Sequence, residues 1–126
     1  MDYITPTHQE ILDVLNQTQV QVIVDEHPIC YGRKYDGYTM SPVDSRNKSG
    51  RTLFFLCVET MQLTREDWQQ EVRYTIAHEA IHVAQLCKSK DGYLYPLGFR
   101  DDIEKEAFAV QNQPKEVLRI LKKYCL

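Results

Sequence analysis

Residues 77–82 read Ala-His-Glu-Ala-Ile-His, and the rest of the chain can be arranged around this stretch. It contains the pattern His-Glu-x-x-His within a segment whose apolar residues recur at helical spacing. Side chains four residues apart in a helix lie one above the other, with Cβ atoms about 5–6 Å apart. His78 and His82 are therefore predicted to point the same way and to reach one zinc ion, since zinc binds imidazole nitrogen at about 2.0–2.1 Å.

The residue after the first histidine is an acid, Glu79. Its carboxylate is predicted to face the side of the metal where a reacting water needs a general base. Apolar residues flank the motif on both sides, which predicts a largely buried helix, and buried charge needs a partner such as a metal ion. The alternative is that ordinary hydrogen bonds satisfy these three polar side chains.

Length and composition restrict the possible classes of protein. The 126 residues predict a single domain, residues 1–126, and the 43% hydrophobic and 26% charged fractions are typical of a globular protein. The net charge of −3 gives no basic footprint, so we expect no nucleic-acid partner. No stretch approaches the ~18–20 apolar residues that span a bilayer, and the N-terminus does not resemble a signal peptide. These features predict a cytoplasmic protein with no membrane partner.

Four cysteines are spread along the chain without a Cys-x-x-Cys pair, which argues against a structural zinc finger. In the absence of an export signal we expect them to be reduced and to act mostly as small core residues. Two disulfides are the alternative, if the chain reaches an oxidising compartment by another route.

The periodicity of the remaining sequence predicts both strands and helices, an α+β fold with further helices at both ends. The segment from Tyr31 to Arg51 carries five basic and two acidic residues. A solvated loop is preferred there over a patch that binds nucleic acid or an acidic substrate. The predicted helices are Thr7–Gln17, Arg65 to Leu86 or Cys87, Ile103–Gln113 and one from Pro114. The predicted strands are Gln19–Val24, Ile29–Tyr31, Tyr38–Met40 and Thr52–Val58.

Two histidines leave a zinc ion short of ligands, because catalytic zinc sites usually have three protein ligands. No histidine follows His82, so the third ligand is sought among the acids of the helix that begins near Ile103. Glu106 is preferred because the small residues after it allow a close approach to the motif helix. Glu104 is the alternative, and whichever of the two is not the ligand is expected to support a histidine ring from behind.

The motif at residues 78–82, followed by Glu106-Ala107 on a later helix, resembles the gluzincin zinc metallopeptidases. Within that group it is most similar to the minigluzincins and to the repressor-cleaving and stress-response metallopeptidases, over roughly residues 52–112. The resemblance implies a zincin-like fold, with a small mixed or antiparallel sheet packed on the motif helix. It also implies an edge strand that binds extended substrate, here Leu53, Phe54, Phe55 and Leu56. It also implies a transition-state stabiliser beyond the motif helix, for which Tyr93 and Tyr95 are the candidates.

The sequence thus predicts a zinc-dependent peptidase that hydrolyses a peptide or protein substrate, with water activated by zinc and Glu79. One departure from the larger gluzincins affects this prediction. They place an aspartate four residues after the ligand glutamate, where this chain has Val110, or Phe108 if Glu104 is the ligand. The alternative is therefore a non-catalytic zincin-like module that binds zinc or a protein partner.

Overall fold

The computed structural model describes residues 3–89 and 100–126, with the side chains of Arg100 and Asp101 left out. Within these residues the chain forms an α+β structure of five α-helices and a three-stranded sheet, which confirms the predicted fold class. The helices are α1 (Pro6–Gln17), α2 (Val58–Thr64), α3 (Trp68–Lys88), α4 (Arg100–Val110) and α5 (Pro114–Cys125). The strands are β1 (Gln21–Val24), β2 (Gly37–Met40) and β3 (Leu53–Leu56).

The sheet has the order β1-β3-β2, with β1 parallel and β2 antiparallel to β3. All four side chains of β3 are buried, as its continuous apolar run predicts for a strand covered on both faces. Phe54 and Leu56 join the main core with the helices, whereas Leu53 and Phe55 pack with Met40 in a smaller cluster on the opposite face.

The central position of β3 contradicts its predicted role as the substrate-binding edge strand. Leu53, Phe54, Phe55 and Leu56 are paired with β1 on one side and with β2 on the other. A strand that is apolar on both faces is best buried at the middle of the sheet, which leaves β1 and β2 at its edges. The predicted strand at Ile29–Tyr31 is also wrong, because residues Pro28–Cys30 form a short 3₁₀ helix.

The long helix α3 carries the His-Glu-x-x-His motif and packs against α1, α2, α4, α5 and the sheet. It begins later than predicted, because α2 precedes it and Arg65 adopts an extended conformation between the two helices. One side of α3 contributes apolar side chains to the main core, among them Val72, Ile76 and Val83. The opposite side carries the motif and faces β2 and α4.

Two disulfides replace the four reduced cysteines that the sequence predicts. Cys30–Cys57 joins the 3₁₀ helix to the end of β3, and Cys87–Cys125 joins the C-terminal ends of α3 and α5. Proteins of the cytosol rarely contain stable disulfides, so this pairing argues against the predicted cytoplasmic location. In the described part of the chain, no helix is long and apolar enough to cross a membrane.

Candidate metal centre

Three side chains from two helices converge on one point. His78 and His82 lie one turn apart on α3, and their Nε2 atoms are 3.3 Å from each other. Glu104 of α4 places its carboxylate against both rings, with Oε1 2.7 Å from His82 Nε2 and Oε2 3.4 Å from His78 Nε2. Each residue thus offers a ligand atom to a common centre, and these atoms all lie within 4.8 Å of one another.

The spacing of these atoms fits a tetrahedral zinc site. With zinc–ligand bonds of about 2.0–2.1 Å, neighbouring ligand atoms of a tetrahedron lie about 3.3–3.4 Å apart. The distance between the two Nε2 atoms is 3.3 Å and that from His78 Nε2 to the glutamate is 3.4 Å. With Glu104 Oε2 as the ligand oxygen, both of these distances have the required length, whereas Oε1 lies at hydrogen-bonding distance from His82.

The orientation of the Gln85 side chain determines which nitrogen of His82 carries the proton. Gln85 Nε2 donates to the carbonyl of Ile103 at 3.1 Å and to Glu106 Oε1 at 2.8 Å, and both of these groups are acceptors. Its Oε1 therefore faces His82 Nδ1, 2.8 Å away, which must donate. The Nε2 lone pair of neutral His82 is thus directed at the common centre, as metal binding requires.

In this arrangement the acceptor atoms His82 Nε2 and Glu104 Oε1 face each other beside a buried ring. His82 is 2% exposed, and its Nε2 and Glu104 Oε1 lie at a distance that needs a proton or a metal cation between them. Burial lowers the pKa of His82, which disfavours the protonated ring. A metal cation bound at this point would satisfy the histidine and the carboxylate together.

The first histidine has its own supporting contacts from α4 and the turn that follows it. His78 Nδ1 lies 3.0 Å from Gln111 Oε1, and the ring of Phe108 packs edge-on against the His78 ring at a centroid distance of 4.6 Å. These contacts come from one helical face, because spacings of four and three residues place Glu104, Phe108 and Gln111 above one another at the end of α4. That face is the one turned toward the histidines.

The structure brings Glu104, the alternative, into the group in place of the preferred Glu106. Two residues correspond to about 200° of rotation around a helix, so both carboxylates cannot face the same point. Ala107, which is fully buried, lies three residues after Glu104 and marks the face that packs closely on α3. Glu106 supports the site indirectly, because it holds Gln85, which in turn holds His82.

Glu79 lies beneath strand β2, beside the two histidines. It is 8% exposed, and its Oε1 accepts a hydrogen bond from Thr39 Oγ1 at 2.9 Å. Burial raises the pKa of Glu79 to about 7, and the Thr39 hydroxyl opposes this shift. A carboxylate with such a pKa can take up and release a proton near neutral pH, as a general base must.

Strand β2 approaches α3 closely because it begins with a glycine. A Cβ atom at Gly37 would lie 2.5 Å from Thr75 Cγ2, closer than real Cβ atoms pack, and in a tight contact of 3.2 Å with Glu79 Cγ. Gly37 and Thr39 point to the same face of the sheet, and this face covers Glu79. Next to it a cavity of about 250 Å³ opens beside His78 and Glu79, between the segment 34–37, α3 and the end of α4.

Several parts of this site were not predicted from the sequence. Gly37, Thr39, Gln85 and Gln111 contact the motif residues, and only Gln85 had a local signal, as a polar residue three positions after His82 on an apolar helix. The two stabiliser candidates, Tyr93 and Tyr95, lie outside the described residues.

The comparison with protein families gives a match over residues 1–96, to the family described as a domain of unknown function, DUF8637. The chain belongs to this family. The matched segment includes His78, Glu79 and His82 and ends before α4. The comparisons with curated proteins and with solved structures gave no significant match.

Proposed function

We propose that the chain binds zinc through His78, His82 and Glu104 and hydrolyses peptide bonds of a peptide or protein substrate. The observation that carries this proposal is the convergence of three acceptor groups next to a buried carboxylate and an open cavity. The acceptors need a cation, the carboxylate is suited to moving a proton, and the cavity gives a substrate access to both.

Each group has a defined task in this proposal. Zinc bound there supplies Lewis acidity, which promotes the ionisation of water and polarises a peptide carbonyl. Glu79 accepts the proton from the attacking water and passes it to the nitrogen of the departing amine. Thr39 holds the Glu79 carboxylate in place through its hydroxyl, and β2 shields that carboxylate from bulk water.

The edge strand β2 is the element on which an extended substrate would lie. Among the described strands it is paired with β3 on one side only, and it crosses α3 directly above Glu79. A peptide that added to its outer edge would gain main-chain hydrogen bonds and bring its own backbone toward the site. We therefore assign substrate binding to β2 and not to β3, because β3 lies at the centre of the sheet.

The resemblance to gluzincins supports the proposal and also shows where this chain differs. With Glu104 as the ligand, the position four residues later is Phe108, where the larger gluzincins carry an aspartate. Phe108 packs against the His78 ring, and Gln111 takes the hydrogen bond from the back of that ring. An amide thus takes the place of a carboxylate behind His78 and orients its ring through a neutral hydrogen bond.

The proposal is tested by separating metal binding from hydrolysis. Purified protein is loaded with zinc and incubated with fluorescently labelled casein, with and without the chelator 1,10-phenanthroline. We expect zinc-dependent cleavage by the unmodified chain and by Glu66→Gln, an exposed control just before α3. Glu79→Gln should retain one zinc ion per chain and lose about 10²–10⁴-fold in rate, the usual contribution of a general acid–base.

Two outcomes would overturn the proposal. An unchanged rate in Glu79→Gln would remove this residue from the mechanism. Zinc binding without hydrolysis of any protein or peptide substrate would instead favour the non-catalytic zinc-binding module.

A further inference from the structure

The cavity beside the metal centre contains one acidic side chain that the site does not use. Glu71 lies on α3, seven residues before His78, and lines this cavity. It is partly buried, and within residues 3–89 and 100–126 its carboxylate has no hydrogen bond or ion pair. A partly buried carboxylate without a partner is a candidate for binding a cationic group.

The other charged groups that line the cavity all have partners. Asp36 forms an ion pair with Arg65 at 2.8 Å, and Glu79 accepts the hydrogen bond of Thr39. The Lys34 ammonium lies 5.4 Å from the centre of the Tyr35 ring. Among the described residues of this lining, Glu71 therefore carries the only carboxylate without a hydrogen-bond or ion-pair partner.

The walls of the cavity complement a long basic side chain. Tyr35, Tyr74 and Phe108 surround the space near Glu71, and Phe108 is 59% exposed although it contacts His78. Aromatic rings bind the apolar stem of lysine or arginine and attract its cationic end. A carboxylate among aromatic rings is thus a suitable receptor for a guanidinium or an ammonium group.

From these observations we propose that this cavity binds a lysine or arginine side chain of the substrate and that Glu71 selects for it. The inference rests on the proposed peptidase function of the adjoining site. Positions 71 and 78 are separated by about 10.5 Å along the helix axis, which an extended peptide spans in about three residues. The basic residue would therefore lie within three residues of the cleaved bond, on one side of it.

Lys34 is the feature that opposes this preference. Its ammonium is also at the cavity, but Lys34 is exposed, whereas Glu71 is partly buried. Solvent and salt screen an exposed charge more than a partly buried one, so the attraction by Glu71 outweighs the repulsion. Removing the Lys34 charge should strengthen binding of a basic group, which gives a control of opposite sign.

The first experiment tests the cavity without relying on hydrolysis. Binding of N-acetyl-arginine amide is followed by NMR titration and compared with the citrulline analogue, which has nearly the same shape and no charge. We expect the arginine compound to bind about tenfold more tightly, as for one charge-assisted hydrogen bond. Glu71→Gln should abolish this difference, Glu66→Gln should preserve it, and Lys34→Gln should increase it.

The second experiment examines cleavage by the zinc-loaded protein. Products of an N-acetylated peptide library should show lysine or arginine enriched within three residues of the cut, and Glu71→Gln should lose this enrichment. A preference for free N-termini in a matched library without lysine and arginine would show that the cavity binds an α-amine instead, against our proposal. Equal binding of the arginine and citrulline compounds would also overturn it.

The two experiments separate this inference from the proposed function. Charge-selective binding that depends on Glu71, in a protein that cleaves nothing, would support the cavity and refute the peptidase. Cleavage without any preference for basic residues would support the peptidase and refute the role of Glu71.

Discussion

The two sides of helix α3 meet their surroundings in different ways. The apolar side, with Val72, Ile76 and Val83, is fully covered by side chains from α1, α5 and the sheet. The polar side brings His78 and His82 together with the Glu104 carboxylate, so that three possible metal ligands share a common centre. The apolar side forms a closed protein core, whereas the polar side presents groups that could bind a metal ion. The comparison indicates that one side stabilises the fold and that the other is free to hold a ligand.

The largest effect is expected from a substitution that creates a cavity on the apolar side of α3. Ile76 is 0% exposed in the main core, and Ile76→Ala should lower the free energy of unfolding by about 2–5 kcal/mol. Zinc content should stay at one ion per chain, because the substitution leaves the polar side unchanged. Chemical denaturation and elemental analysis of the same sample measure both quantities. Loss of zinc in this variant at a temperature where it is folded would show that the two sides are not independent.

On the polar side we expect a smaller effect with the reverse pattern, a loss of zinc affinity with little loss of stability. Gln85→Ala removes the acceptor that holds His82 in its metal-binding tautomer, so zinc affinity should fall about 10–100-fold. The metal-free protein should lose little stability, because Gln85 adds no apolar contact to the main core. Competition with a fluorescent zinc chelator measures the affinity, and Gln69→Ala, on the exposed part of the same helix, is the control. An affinity equal to that of the control would mean that Gln85 does not support the site.

The smallest expected effect concerns a buried histidine that needs no metal. His8 on α1 is buried and pairs with the hydroxyl of Thr5, so the protein itself satisfies this ring. Burial lowers the pKa of His8, with a smaller effect from Arg73. The unfolded chain therefore binds a proton more readily than the native protein, and stability should decrease as the pH falls below about 6.5.

Denaturation curves at pH 7.5 and pH 5.5 measure this dependence on zinc-free protein. His8→Gln should reduce the loss of stability at the lower pH and leave zinc content unchanged. A loss of zinc in this variant would place His8 in the metal site and would break the distinction between the two kinds of buried histidine.

The part of the site that lies within one helix could be predicted from the sequence. The spacing of His78 and His82 fixes their relative direction, because helix geometry alone sets it. The choice between Glu104 and Glu106 could not be made, because it depends on how α4 is rotated against α3. In the structure Ala107, three residues after Glu104, is fully buried, and Glu104 is the acid that lies beside the two histidines.

Features that depend on contacts distant in sequence were the ones that sequence reasoning missed. The β3 strand was expected at an edge, although its continuous apolar run was itself evidence for a central position. The cysteines were expected to be reduced, yet the fold brings Cys30 and Cys57 to a Cα–Cα distance of 5.4 Å. Pairing of this kind follows from tertiary structure and leaves no local signal in the sequence.

Zinc content of two variants of α4 tests the central claim most directly. Glu104→Gln and Glu106→Gln remove the same charge from the same helix, two residues apart, and each is measured beside the unmodified chain by elemental analysis after zinc loading and dialysis. We predict one zinc ion per chain in the unmodified protein and in Glu106→Gln, and loss of zinc in Glu104→Gln. Retention of zinc by Glu104→Gln together with its loss from Glu106→Gln, or no zinc in any of the three proteins, would contradict the account.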